Sequence, residues 1–118
     1  MIKNAKLNNL FKLSCKCTVI IPATINVNQE IDNTIYVDQC ASLMSDCFGG
    51  ATSSVTLGYW KSEKLGLIKE KSTTVFSYCS EKDLQENIEK IIDYCEILIE
   101  ELKQESIALE INGEMYFI

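Results

Sequence analysis

The chain has 118 residues, 47% of them apolar and 24% charged, which suits one compact domain with a modest core and leaves no length for a second. Its eleven cationic residues are all lysines, it contains no histidine, and its formal net charge is −6. That composition excludes imidazole acid–base chemistry and bidentate guanidinium clamps, and it argues against ordinary phosphate-backbone binding, which needs a basic face.

Residues 1–14 form a basic leader. Lys3, Lys6, Lys12 and Lys16 all precede the first acid, Glu30, and such a run reads as a solvated tail ahead of a single α+β domain over 15–118. The leader lacks the continuous hydrophobic core of a signal peptide, and the longest apolar run, Val19 to Ile21, is too short to span a bilayer. A cytoplasmic protein without membrane contact is expected.

Cys15, Cys17, Val19 and Ile21 alternate with Lys16, Thr18 and Ile20, predicting a first strand that Pro22 ends or bends, followed by a loop or a short extension over Ala23 to Ile31. Asp32 or Asn33 caps a helix over 34–48, and Gly49-Gly50 stops it. Val37, Cys40, Ala41, Met44 and Phe48 recur at helical spacing on its apolar face. Residues 51–60, rich in Thr, Ser, Val and aromatics without a helical period, predict a second strand; a polar turn over 61–66 leads to a third over 67–79.

Ser80-Glu81-Lys82-Asp83 fits a loose capping box, and the acidic first turn complements the positive end of a long second helix. Leu84, Ile88, Ile91, Ile92, Cys95, Leu98, Ile99 and Leu102 make its apolar stripe. Ile97 falls outside that stripe and is a candidate surface contact. Asn112-Gly113 then joins a strand over 106–111 to one over 114–118, a type I′ hairpin signal because both central residues need positive φ. The order is strand, helix, strand, strand, helix, strand with a final hairpin strand. Two amphipathic helices on one face of an antiparallel sheet make a ferredoxin-like βαββαβ two-layer sandwich with a C-terminal hairpin the natural solution, with another α/β two-layer topology of the same elements as the competing reading.

The six cysteines, at 15, 17, 40, 47, 79 and 95, have no Cys-x-x-Cys spacing and no histidine to complete a zinc site. They read as reduced core residues, and no metal or cofactor is expected. A cysteine nucleophile lacks a histidine base, so thiol catalysis is disfavoured. Glu70, Glu105, Glu110 and Glu114 are the carboxylates available for acid–base work, an ordinary number for an acidic chain. No catalytic residue is assigned. Binding candidates are Tyr59, Trp60 and Tyr78 as an aromatic platform, with Glu70 and Ile97.

Across Asp32 to Ile118 the sequence resembles small bacterial and mobile-element proteins of unknown function. The resemblance rests on Phe48-Gly49-Gly50-Ala51-Thr52, Gly58-Tyr59-Trp60 with Gly66 and Glu70, Gln104-Glu105-Ser106, and Leu109-Glu110-Ile111-Asn112-Gly113 before Tyr116-Phe117-Ile118. It implies a compact α+β fold and supplies no catalytic residue. The expected function is a non-catalytic binding protein, an accessory or inhibitor protein of a phage or mobile element that sequesters a protein partner or small ligand. The alternative is a small cofactor-free enzyme with a cleft on a ferredoxin-like dimer. A homodimer is expected because Thr56, Gly58, Trp60, Phe76 and Tyr78 cannot face the helices if Val55, Leu57, Tyr59, Val75 and Cys79 do, which leaves an aromatic sheet face to be covered.

Overall fold

The computed structural model describes residues 2–26 and 28–118. Met1 of the leader and Val27 of the predicted 23–31 loop lie outside the described residues. A short helix α1 (Ala5–Asn8) precedes β1 (Cys15–Pro22), then come β2 (Thr24–Ile25), β3 (Gln29–Glu30), α2 (Thr34–Phe48), β4 (Thr52–Ser62), β5 (Gly66–Cys79), α3 (Glu81–Leu102), β6 (Ala108–Ile111) and β7 (Glu114–Phe117).

The main sheet has five strands in the order β4-β5-β1-β6-β7, with every neighbouring pair antiparallel. β1 occupies the centre, pairing with β5 from Cys15↔Cys79 to Pro22↔Ser72 and with β6 from Cys17↔Ile111 to Val19↔Leu109. Cys17, Val19 and Ile21 point to one side with Val75, Cys79 and Leu109, and there they meet Cys40 and Met44 of α2 and Ile91, Cys95, Leu98 and Leu102 of α3. All of these are essentially solvent-free. The helical periodicity thus identified the buried faces of both long helices, and it missed Tyr94, which is buried against α2 with its hydroxyl donating to the Tyr36 carbonyl at 2.8 Å.

Local signals account for most element ends. Ser80 accepts a hydrogen bond from the Asp83 amide at 3.1 Å and starts α3. Gly49 ends α2 in the left-handed region at φ 94°. Asp32 receives the Thr34 amide at 3.0 Å, while Asn33 turns inward and donates to the Ile21 carbonyl and to Thr73, tying α2 to β1 and β5.

Three expectations change. The leader carries α1, capped by Asn4, whose side chain accepts from the Lys6 and Leu7 amides. The 23–31 loop contains the β2–β3 ribbon, held by Ala23 donating to Lys71, by Asn26 donating to Leu102, and by Gln104 donating to Thr24. The β4–β5 hairpin runs further than predicted, with pairing from Thr52↔Phe76 out to Ser62↔Gly66. Its outer half extends past the helices, so Val55, Leu57 and Tyr59 lie on the helix side of the sheet and are nevertheless exposed. Alternation fixes which side a residue faces, and the reach of the helices decides whether that side is covered.

Asn112 and Gly113 have φ of 54° and 86°, as a type I′ turn requires, and Asn112 also accepts the Lys16 amide at 2.8 Å. Gly113→Val forces a β-branched residue into the left-handed region, so the protein should lose about 1–2 kcal/mol. Equilibrium urea unfolding checks this as a lower midpoint.

Candidate functional site

On the sheet face away from the helices, Trp60 and Glu70 are diagonal neighbours across β4 and β5, since Gly58 stands opposite Glu70 and Ile68 opposite Trp60. The Trp60 indole donates to a Glu70 carboxylate oxygen at 3.0 Å. Gly58 matters here because a glycine opposite Glu70 leaves the strand surface beside the carboxylate open.

Two cavities meet at Glu70. The first, about 380 Å³, is bounded by the β2–β3 ribbon and the hairpin, with Glu30, Trp60, Ile68, Lys69, Glu70 and Lys71 in its wall. The second, about 280 Å³, is lined by Gly58, Glu70, Lys71, Gln104, Ser106 and Phe117, among others. Thr24, Glu70 and Lys71 belong to both walls, so Glu70 stands at the junction. Volumes of this order suit a small organic ligand. The first wall combines two carboxylates, two ammonium groups, an indole and aliphatic side chains, a set matched to a ligand with cationic, anionic and flat aromatic parts. Trp60 is 51% exposed, which leaves the indole open to a bound molecule.

Of the five residues singled out from sequence, Trp60 and Glu70 come together. Tyr59 faces the opposite side of the same strand. Tyr78 lies eight residues along β5 from Glu70, about 27 Å at ~3.4 Å per residue. There it packs edge-on against Phe76 with ring centroids 5.9 Å apart, and the Lys16 ammonium sits 4.4 Å from the Phe76 centroid. Ile97 is on the solvent side of α3, in the other layer, at 47% exposure. The single aromatic platform of Tyr59, Trp60 and Tyr78 is therefore not formed within one chain. Thr24, Lys71, Gln104 and Ser106 were missed, although Gln104 and Ser106 lay in one of the segments that carry the family resemblance. Gln104 also donates to the Thr24 and Leu102 carbonyls, both at 3.1 Å, and so holds the ribbon against the end of α3.

The thiols take no part in this site. All six cysteines are free, and five are buried. No helix among the described residues is long and apolar enough to cross a membrane.

No protein family and no curated protein matches the chain. Among solved structures, it is similar to a phage SAM lyase in complex with S-methyl-5'-thioadenosine, with a TM-score of 0.64 at 18% identity over 93% of this chain and 92% of the other. It is equally similar to a phage SAM lyase in the apo state, with a TM-score of 0.63 at 17% identity over 93% and 95%. At this identity the likeness shows a shared fold. These structural neighbours are enzymes, so they lend no support to a non-catalytic role.

Burial pushes the thiols of Cys17, Cys40 and Cys95 up to about 12 and that of Cys79 up to about 11, from an ordinary value of 9.0. The folded state holds these protons more tightly than the unfolded chain. Their contribution is fully present below about pH 9 and is lost as pH rises toward 12. Urea midpoints should stay flat from neutrality to about pH 8.5 and then fall, more shallowly in Cys40→Ala with Cys95→Ala than in the native protein.

Proposed function

We propose that the protein is a small phage or mobile-element enzyme that binds S-adenosylmethionine at the Trp60–Glu70 site and cleaves it as a lyase, releasing a thioether nucleoside such as S-methyl-5'-thioadenosine. The observation that carries this reading is the 3.0 Å indole–carboxylate pair, with Trp60 in the wall of the first cavity and Glu70 in the walls of both. A sulfonium ion is recognised by a carboxylate and an aromatic face, an adenine by a flat indole, and an amino-acid carboxylate by lysine. The similarity to the phage enzyme, the order β4-β5-β1-β6 and the helices on one face support a ferredoxin-like βαββαβ core extended by β7. Buried free thiols suit a reducing cytoplasm.

The chemistry accommodates a chain without histidine. When the carbon–sulfur bond of a sulfonium breaks, the electron pair passes to sulfur and the leaving group departs as a neutral thioether, so no acid has to protonate it. The carbon left behind is satisfied by attack of the substrate's own carboxylate or by loss of a neighbouring proton to a carboxylate such as Glu70. Neither route requires imidazole, metal or thiolate. Catalysis then rests on holding a charged substrate in one geometry.

Trp60 is the sole tryptophan, so its emission reports occupancy of the site directly. Titration with S-methyl-5'-thioadenosine should shift or quench that emission, and incubation with S-adenosylmethionine should release the thioether nucleoside, followed by liquid chromatography. Glu70→Gln should lower turnover by about tenfold to a hundredfold, the range expected for losing a charge-assisted contact of ~1.5–3 kcal/mol. No change in emission together with undiminished S-adenosylmethionine would overturn this function.

A further inference from the structure

A third cavity, of about 380 Å³, lies at the end of β5 away from Glu70. β4 begins at Thr52, opposite Phe76, so the β4-side edge of Ser77 and Tyr78 is left open and a notch forms in the border of the sheet. The whole segment Phe48-Gly49-Gly50-Ala51-Thr52 lines it, together with Phe76 and Tyr78 of β5. That segment carries part of the family resemblance and has no role at the Trp60–Glu70 pair. Its backbone borders open space, since a Cβ added at Gly49 or Gly50 would meet no atom within 4 Å. The Ser77 hydroxyl donates to the Gly50 carbonyl at 2.6 Å and fastens this wall against β5.

The surroundings of the notch favour positive charge. Lys16 stands opposite Tyr78 on β1, and its ammonium lies 4.4 Å from the Phe76 ring centroid and 5.6 Å from that of Tyr78. The two rings meet at 88° and form an aromatic corner that already receives a cation from the β1 side. On the β4 side Tyr78 is uncovered, with 53% of its surface exposed. The C-terminal end of α2, which carries partial negative charge, finishes at the same wall, and its last turn contains no basic residue to neutralise it. Among the described residues, no carboxylate lines the notch. That selects the kind of cation. A metal ion or a strongly hydrated ammonium would give up water that rings and a helix end do not replace. A trimethylammonium group is weakly hydrated, and aromatic faces hold it through its methyl groups.

We infer that this notch binds a small organic cation bearing a trimethylammonium group, seated among Phe48, Phe76 and Tyr78 against the end of α2. Lys16 is the internal cation that competes for the same rings. The site is separate from the Trp60–Glu70 pair, and the inference stands independently of the proposed function.

Titration with choline, followed through the ring-proton shifts of Phe76 and Tyr78 in NMR spectra, tests it. Both rings should shift saturably, and the uncharged isostere with carbon in place of the choline nitrogen should bind about tenfold more weakly. Tyr78→Leu, followed at Phe76, should weaken choline binding by about tenfold, the effect of losing one cation–π contact, whereas Tyr78→Phe keeps the ring and should retain it. Lys16→Met keeps the stem and removes the competing ammonium, so it should tighten binding several-fold. Glu70→Gln should leave choline affinity unchanged, which distinguishes this notch from the other site. Tyr78 is exposed, so its variants should keep their unfolding midpoint. Should Tyr78→Leu fail to fold, Lys16→Met and the uncharged isostere still decide the matter. Absent ring shifts, equal binding of the isostere, unchanged affinity in Tyr78→Leu or in Lys16→Met, or loss of binding in Glu70→Gln would each overturn the inference.

Discussion

The central position of β1 is the constraint on which the rest of the molecule hangs. It is hydrogen-bonded on both edges, to β5 and to β6, and its helix-facing residues Cys17, Val19 and Ile21 are wholly buried. A strand so placed must carry side chains that fill space without needing polar partners, and cysteine serves as a small hydrophobe at positions where two helices press on the sheet. The same packing raises the thiol pKa values, so these cysteines act as inert filling. Pairing with β5 also carries information outward: once Cys15 is set against Cys79, the continuous register fixes which side of β5, and then of β4, each residue occupies out to the hairpin tip.

That chain of registers is what brings Trp60 to Glu70. The two are ten residues apart and join diagonally across an antiparallel pair, with a glycine opposite Glu70 that leaves the surface open. A slip of one residue would move Trp60 to the side where Tyr59 now sits and abolish the indole–carboxylate contact. The cavities also need a third wall, which comes from the β2–β3 ribbon. Gln104 secures it from just beyond the C-terminal end of α3, where Lys103 adopts φ 52° and turns the chain. One face of the site is thus set by sheet register and the other by a helix terminus.

Much of the fold was legible because its signals are local. Asn112-Gly113, Ser80 and Gly49 each act within a few residues, and the stripe from Leu84 to Leu102 repeats often enough to define a face. The site was less legible because its determinants are long-range. Glu70 is an ordinary acid in an acidic sequence until the register puts it beside Trp60, and Gln104 acquires a role only through a contact to Thr24 eighty residues away. The β2–β3 ribbon has two residues per strand, too few for a period of two to register. The exposed side of the hairpin was misread for a related reason. Alternation correctly divided Tyr59 from Trp60, but no pattern in β4 records how far α2 and α3 reach.

The absence of histidine narrows chemistry less than composition alone suggests. It removes the side chain that most often moves protons near neutrality, and for hydrolysis of an amide or ester that loss is severe, because the leaving group must be protonated and the nucleophile deprotonated. A substrate that already carries its leaving group as a cation has neither need. For such a reaction the useful features are a shaped cavity, carboxylates near the cation and an aromatic wall, all of which a lysine- and glutamate-rich α+β domain can supply from sheet register and a flanking ribbon. Glu70 is exposed, so under the proposed function the apolar lining of Ala23, Ile31 and Ile68 on one side of the cavity is what lowers the screening of its carboxylate by water. Under the proposed function, the indole hydrogen bond orients the Glu70 carboxylate beside that lining before any ligand arrives.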